Sequence, residues 1–125
     1  MSVLADTSVW IAHFREPSPE LIGHLDAGQV LIHPMVIAEL ACGTPPDRLR
    51  TLQALGLLEH SHQASMAEVL LLIEGKKLFG RGCGLVDMML LASTLVTPGA
   101  TLWTLDKRLA DLADLVKVRY RPSLH

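Results

Sequence analysis

Short apolar runs alternate with longer segments of mixed polarity along the whole chain. Five runs have the length and apolar character of buried strands, at 2–5, 29–33, 57–60, 101–104 and 116–120. Seven longer segments predict helices, at 9–14, 18–27, 35–42, 48–55, 65–78, 85–96 and 106–113. Gly28 closes one helix, and Pro34 takes the first position of another. This alternation predicts an α/β domain with a largely parallel sheet.

Length and composition narrow the class of protein. The chain has 125 residues, which fits one domain spanning 1–125. Half of the residues are hydrophobic and 19% are charged, which supplies one core and indicates apolar surface for a partner. The longest apolar runs are well short of the roughly 20 residues of a membrane span, and the N-terminus does not resemble a signal peptide. Cys42 and Cys83 form no C-x-x-C pair, which predicts reduced thiols in a cytoplasmic protein.

Four acidic residues have apolar neighbours, although a carboxylate in such surroundings is unfavourable unless a partner compensates its charge. They are Asp6, Glu39, Asp87 and Asp106. Asp6 and Asp106 follow predicted strands, and each has an alternative explanation as a helix N-cap. Glu39 and Asp87 lie inside predicted helices, where we expect no capping role, although a solvent-facing position stays open. Because ligands bind outside the carboxyl ends of parallel strands, Asp6 and Asp106 are expected at the same sheet edge.

The charge balance gives these four acids a possible role. The formal net charge is −2, which disfavours binding of nucleic acid by bulk charge, but without the four acids it would be +2. If the fold gathers the carboxylates, their repulsion raises their pKa values unless cations bind. Hard oxygen ligands suit Mg²⁺ or Mn²⁺, and two such ions can clamp a phosphodiester for hydrolysis. The sequence contains no G-x-S-x-G, H-E-x-x-H or phosphate-loop motif that would favour another mechanism.

Four segments of the sequence form a set whose order and spacing are informative. The first is V-L-A-D-T-S-V-W at 3–10, and the second is P-M-V-I-A-E-L at 34–40. The third is G-L-V-D at 84–87 with L-L-A at 90–92, and the fourth is L-W-T-L-D-K-R-L at 102–109. Over nearly the whole chain, this set resembles the PIN-domain ribonucleases, and more closely the VapC toxins of bacterial toxin–antitoxin pairs.

The resemblance implies a fold, an activity and a set of site residues. The fold is a three-layer α/β/α sandwich with a central, largely parallel sheet, and the activity is metal-dependent endoribonuclease cleavage. Asp6 and Asp87 match the positions that hold Mg²⁺ most directly, with Mn²⁺ as a substitute. Asp106 and Glu39 would complete the site, directly or through water. Hydroxyl positions that support the acids or the attacking water are matched by Thr7, Ser8 and Thr104.

The resemblance also implies partners. Such toxins cut structured RNA, often tRNA or ribosomal RNA, and typically form homodimers. An antitoxin wraps around them and inserts a segment into or beside the active site. The low charge and the high apolar content of this chain fit such an assembly.

Several further residues have a possible functional role. Three basic residues shortly before Asp87 are candidates for contacts with RNA phosphates: Lys76, Lys77 and Arg81. His60 and His62 have the spacing of a metal-ligand pair, but no third ligand lies nearby in the sequence. Trp10 and Trp103 could stack on bases, but their apolar neighbours favour packing in the core or at a dimer interface.

Two other functions stay open at this point. One is a phosphatase with Asp6 as its nucleophile, which is disfavoured because Ser8 stands where the usual D-x-D pair has its second Asp. The other is a non-catalytic binding module on the same scaffold, which the four intact acids disfavour.

Overall fold

The fold is described by a computed structural model over residues 1–123, which contains four strands and seven helices, with two helices between each strand and the next. The strands are β1 (Ser2–Ala5), β2 (Val30–Ile32), β3 (Glu59–His60) and β4 (Ala100–Trp103). The first four helices are α1 (Thr7–Arg15), α2 (Pro19–Asp26), α3 (Pro34–Ala41) and α4 (Arg48–Gly56). The remaining helices are α5 (Met66–Gly75), α6 (Leu85–Leu95) and α7 (Lys107–Leu115).

The four strands form one sheet in the order β3-β2-β1-β4, and every pairing is parallel. The central strand β1 is buried on both faces, because its successive residues Val3, Leu4 and Ala5 have no exposed surface. Successive side chains of a strand point to opposite faces, so both faces of the sheet are covered. The predicted three-layer α/β/α fold with a parallel sheet is confirmed.

Helix packing places the core on both sides of this sheet. Leu91 of α6, Leu109 of α7 and Leu21 of α2 are fully buried in the same hydrophobic cluster as the strands. Local sequence signals begin several helices: in α5, Ser65 and Glu68 form a reciprocal capping box. None of the helices within residues 1–123 has both the length and the apolar composition needed to cross a bilayer.

The predicted fifth strand, 116–120, is wrong. The segment makes only an isolated parallel bridge between Arg119 and Leu102, with hydrogen bonds from Leu102 N to Val118 O (2.7 Å) and from Tyr120 N to Leu102 O (2.9 Å). Helix α7 continues to Leu115, and Lys117 then takes a left-handed conformation with φ of 63°. Too few extended residues remain to build a strand ladder.

The predicted helix 65–78 and the predicted strand 57–60 are both shorter in the structure. Helix α5 ends at Gly75, and Lys77 takes a positive φ of 53° that a helix cannot continue. This turn sends the apolar side chain of Leu78 into the core instead of along the helix. The third strand retains only Glu59 and His60, both exposed at the sheet edge.

The strand order creates a crevice at one edge of the sheet. The chain passes from β1 to β2 on one side, whereas β4 pairs with β1 on the other side. The carboxyl ends of β1 and β4 therefore flank the point at which the strand order reverses, where α/β proteins bind their ligands. Asp6 directly follows β1, and its N–H donates to Trp103 O at 3.0 Å. Thr104 follows β4 at the same edge.

Candidate active site

Asp6 lies at the centre of this crevice and is only 5% exposed. Asp6 is the N-cap of α1, so the alternative explanation of this residue as a helix cap is correct. Its Oδ1 accepts hydrogen bonds from Val9 N (3.2 Å) and from the hydroxyl of Ser8 (2.5 Å). Ser8 Oγ in turn accepts from Leu105 N at 2.9 Å, which connects α1 to the end of β4. No Lys or Arg side chain among residues 1–123 forms an ion pair with Asp6.

Burial raises the pKa of Asp6 above its ordinary value, although hydrogen bonds from Ser8, Thr104 and Val9 oppose the shift. The hydrogen bonds therefore offset only part of the free-energy cost of burying the ionised carboxylate. A cation at this position would remove the remaining penalty.

Asp106 is the N-cap of α7 and is less buried than Asp6. Its Oδ1 accepts from Arg108 N at 2.8 Å and from Leu109 N at 3.4 Å. Within the described part of the chain, Oδ2 accepts no hydrogen bond, so one oxygen can face a ligand while the other caps the helix. The hydroxyl of Thr104 accepts from Asp106 N at 3.0 Å and also acts to lower the pKa of Asp6. Thr104 therefore links the two acids.

Asp87 connects electrostatically with all three other acids. It is half-buried, and its pKa is raised first by burial and then by the charges of Asp106, Asp6 and Glu39. The four carboxylates therefore share one region of the molecule, as the sequence predicts. Asp87 is the third residue of α6, and the backbone of Gly84 acts to lower its pKa.

Glu39 lies on α3 and is exposed, so its apolar sequence neighbours do not enclose it. The hydroxyl of Thr7 donates to its Oε1 at 2.6 Å and holds it toward the other acids. Beside it runs an open groove of 440 Å³ between α1 and the segment after α3. Apolar side chains, including Ile11, Phe14 and Leu40, form most of its wall.

The acids do not form a closed coordination shell. Across residues 1–123, no three side chains of His, Cys, Asp or Glu stand close enough together to hold one ion. Their chemistry nevertheless fits Mg²⁺, which commonly uses only one or two carboxylates and keeps several waters. The buried charge of Asp6 and the unused Oδ2 of Asp106 are the features that a hydrated ion would satisfy.

The predicted RNA-contacting residues lie outside this group. All three are exposed around the loop between α5 and α6, and within the described residues none pairs with an acid: Lys76, Lys77 and Arg81. The basic residue beside the acids is instead Arg108, whose Nε lies 3.9 Å from Asp106 Oδ1. Arg108 was not among the residues predicted from the sequence. Its signal was its position two residues after Asp106.

The histidines and tryptophans have structural roles. His60 Nε2 lies 3.1 Å from Gly56 O, and His62 Nδ1 lies 3.0 Å from Val96 O, so each ring engages a backbone carbonyl. The indoles of Trp10 and Trp103 are buried, as their apolar neighbours indicate. Neither ring is available to stack on a base.

Comparisons with known proteins show the family to which this chain is similar. The model of the PIN domain matches residues 3–115. The protein "Ribonuclease VapC32" of Mycobacterium tuberculosis, found in two strains, is 43% identical over 107 residues, which cover 86% of this chain and 86% of that protein. The chain therefore belongs to the PIN-domain family, within its VapC group of ribonucleases.

Proposed function

We propose that this chain is a metal-dependent endoribonuclease that hydrolyses RNA phosphodiester bonds as the toxin of a toxin–antitoxin pair. The observation that carries the proposal is the effect of three other acids on Asp87, whose pKa rises through burial and through the charges of Asp106, Asp6 and Glu39. Such a concentration of negative charge repels RNA unless cations bind first. The identity with a protein named as a ribonuclease supports the same chemistry.

Each acid has a proposed role that follows from its surroundings. Asp6 and Asp87 would hold Mg²⁺, or Mn²⁺ in its place, and Asp106 would contribute its free oxygen. A bound divalent ion would neutralise phosphoryl oxygens and make water more acidic. Glu39 would act through water, because it is exposed and held only by Thr7. Ser8 and Thr104 would keep the carboxylate of Asp6 in place.

The surroundings of the site support the proposed partners. The apolar groove beside Glu39 would receive a segment of the antitoxin, which could then reach the acids directly. Exposed apolar side chains on α5, such as Leu70 and Leu71, supply surface for a homodimer in the cytoplasm. The proposed substrate is structured RNA such as tRNA or ribosomal RNA.

The decisive test compares Asp87→Asn with wild type in RNA cleavage with Mg²⁺ or Mn²⁺. We expect Asp87→Asn to abolish cleavage while urea unfolding and circular dichroism show an intact fold. Asp26→Asn is the matched control, since Asp26 is exposed at the end of α2 and precedes the amino end of β2. Its cleavage rate should equal that of wild type. Asp87→Asn cleaving at the wild-type rate contradicts the metal site.

The same experiment separates the alternatives. A wild-type protein that binds RNA but cuts none with either metal would be a binding module. A phosphatase would form a phospho-aspartate at Asp6, but Oδ1 of this buried residue already accepts two hydrogen bonds.

A further inference from the structure

Arg108 stands beside the acids without neutralising them. Its Nε is 3.9 Å from Asp106 Oδ1, and its side chain is 66% exposed. This distance exceeds the roughly 2.7–2.9 Å of a charge-assisted hydrogen bond. An exposed pair of this kind contributes little to stability. Within residues 1–123, the guanidinium donates no hydrogen bond to any protein acceptor, so its five N–H groups are available.

Helix energetics do not explain an arginine at this position. Arg108 is the second residue of α7, where the unpaired backbone N–H groups make the helix end positive. A cation in the first turn is disfavoured there, whereas Asp106 as N-cap is favoured. The placement of Arg108 therefore needs a reason other than the stability of α7.

The side chain of Arg108 lies against Gly82. A Cβ on Gly82 would lie 2.9 Å from both Cδ and Nη1 of Arg108, so the arginine passes directly over this backbone. Gly82 also has a φ of 85°, which side-chain-bearing residues rarely adopt. The positive φ favours glycine, whereas an added Cβ would meet only the flexible end of the Arg108 side chain. The absence of a side chain at Gly82 therefore leaves room for the guanidinium beside Asp106.

The pKa of Cys83 indicates which charged side chains lie near this thiol. The pKa of this thiol is raised by burial and by the charges of Asp87 and Asp106, and Arg108 opposes the shift. The charges of two of the acids and of the guanidinium therefore all act on Cys83. Arg108 therefore lies on the rim of the acid group.

Three other arginines have partners, whereas Arg15, Arg50 and Arg81 form no side-chain hydrogen bond or ion pair within residues 1–123. Arg119 and Arg121 bind Asp114 at 2.7 and 2.8 Å, and Arg48 donates to the carbonyls of Ala41 and Gly43. Arg108 differs from all of these because its planar set of donors lies over Gly82 beside Asp106 and forms no side-chain hydrogen bond within residues 1–123. The complement of such a group is an anion with two parallel acceptor oxygens, as in a phosphate.

We propose that Arg108 binds a phosphate of the RNA strand at the rim of the acid group and positions that strand for cleavage. The proposal rests on the proposed function, because it assigns the anion to the RNA backbone. It replaces Lys76, Lys77 and Arg81 as the principal phosphate contact. Arg108 is a positioning residue, since its contact is with the strand and not with the attacking water.

The test measures binding without cleavage, in the Asp87→Asn background. A fluorescein-labelled RNA hairpin with a mixed-sequence loop is titrated by anisotropy over a series of KCl concentrations. Adding Arg108→Gln should weaken binding roughly tenfold and reduce the slope of log Kd against log salt by about 0.7, the value for one lost contact to a single strand. Arg108→Lys should restore the slope but only part of the affinity, because it lacks the planar fork.

Arg121→Gln is the matched control. It removes the same charge near Asp114 in the last turn of α7, at the end of the helix away from the acids. Its affinity and salt slope should match the Asp87→Asn parent. If Arg108→Gln behaves like Arg121→Gln, the proposal is wrong, even if wild type cleaves RNA. If Asp87→Asn cleaves at the wild-type rate, the proposed function fails instead, so the two failures are distinguishable.

Urea unfolding keeps the result interpretable. Arg108 makes no side-chain hydrogen bond within the described residues, so Arg108→Gln should unfold at the midpoint of its parent. If Arg108→Gln unfolds at a lower urea concentration than its parent, the Arg108→Lys variant distinguishes a structural role from a phosphate contact. If the role of Arg108 were purely structural, Arg108→Lys would not restore the salt slope. The proposal would be overturned if Arg108→Gln left the salt slope unchanged and if Arg108→Gln and Arg108→Lys lost the same affinity for RNA.

Discussion

Thr7 donates a hydrogen bond of 2.6 Å from its hydroxyl to Oε1 of Glu39, and this bond joins the first turn of α1 to α3. Glu39 is exposed, and an exposed glutamate otherwise samples several rotamers. Thr7 follows Asp6 directly, so the residue that orients the exposed acid is attached to the buried one. The two residues that follow β1 therefore fix the positions of two of the four carboxylates.

Thr7→Val should therefore reduce RNA cleavage by roughly tenfold, because Glu39 loses the donor that orients it. Thr7→Ser keeps a hydroxyl and should retain most of the activity. Neither change should alter the urea midpoint by much, since Thr7 is only half-buried. Single-turnover cleavage of a labelled RNA measures the effect. Equal rates for Thr7→Val and Thr7→Ser would contradict a role for this hydrogen bond.

Some of the site could be predicted from the sequence, because strand ends are fixed by the fold. Once a parallel sheet is expected, residues that closely follow a strand must lie near its carboxyl edge, and Asp6, directly after β1, and Asp106, three residues after β4, follow this rule. The exposure of Glu39 was less predictable, since α3 is apolar on most sides and its pattern does not reveal which face meets solvent.

The role of Arg108 was not predicted from the sequence, and the reason is a different one. Its significance depends on the close approach of Gly82, which precedes it by 26 positions and is brought near only by tertiary folding. The missing fifth strand has a similar cause. Residues 116–120 have strand-like composition, but the extended length of α7 and the positive φ of Lys117 leave too little chain for pairing.

Asp6→Asn should stabilise the metal-free protein at neutral pH. The folded pKa of Asp6 is raised by burial, so the ionised form opposes folding, and its penalty decreases as pH falls toward the unfolded pKa. Asn keeps an oxygen that can accept from Val9 N and Ser8 Oγ. We expect a gain of about 1 kcal/mol in the free energy of unfolding at pH ~7 with EDTA.

Urea titrations at several pH values check this prediction. The advantage of Asp6→Asn should shrink as pH falls, because wild-type Asp6 then becomes protonated. Asp106→Asn is the control: Asp106 is more exposed, and Asn caps helices about as well as Asp, so its stability should change little. A less stable Asp6→Asn at neutral pH would contradict the prediction.

Mg²⁺ should raise the stability of wild type by mass action. At ten times its Kd, one bound ion adds about 1.4 kcal/mol to the free energy of unfolding. Asp87→Asn should lose most of this gain, whereas Asp26→Asn should keep it. Thermal unfolding with Mg²⁺, compared with KCl at equal ionic strength, separates binding from screening. Equal stabilisation by both salts would argue against a specific ion site.

Away from the acids, Glu20 anchors the end of the described chain. Its Oε1 accepts from the hydroxyl of Tyr120 at 2.6 Å and from Ser123 N at 2.9 Å. Burial raises the pKa of Glu20, but these hydrogen bonds and the charge of His24 outweigh it, so the net shift is downward. The contribution of this carboxylate to stability is therefore present above its ordinary pKa of 4.5 and is lost as pH falls through the lower folded value.

Tyr120→Phe should consequently destabilise the protein by about 1 kcal/mol at pH ~7, and by less at an acidic pH below the lowered folded pKa of Glu20, where this carboxyl group is protonated. Glu20→Gln provides the control, because the glutamine amide cannot titrate and the pH dependence of this variant should lack the Glu20 component. The double variant should add little to either single change, since both act on one hydrogen bond. Urea midpoints at the two pH values measure all four proteins. A Tyr120→Phe penalty that is equal at both pH values would mean that the ionised form of Glu20 does not strengthen this anchor.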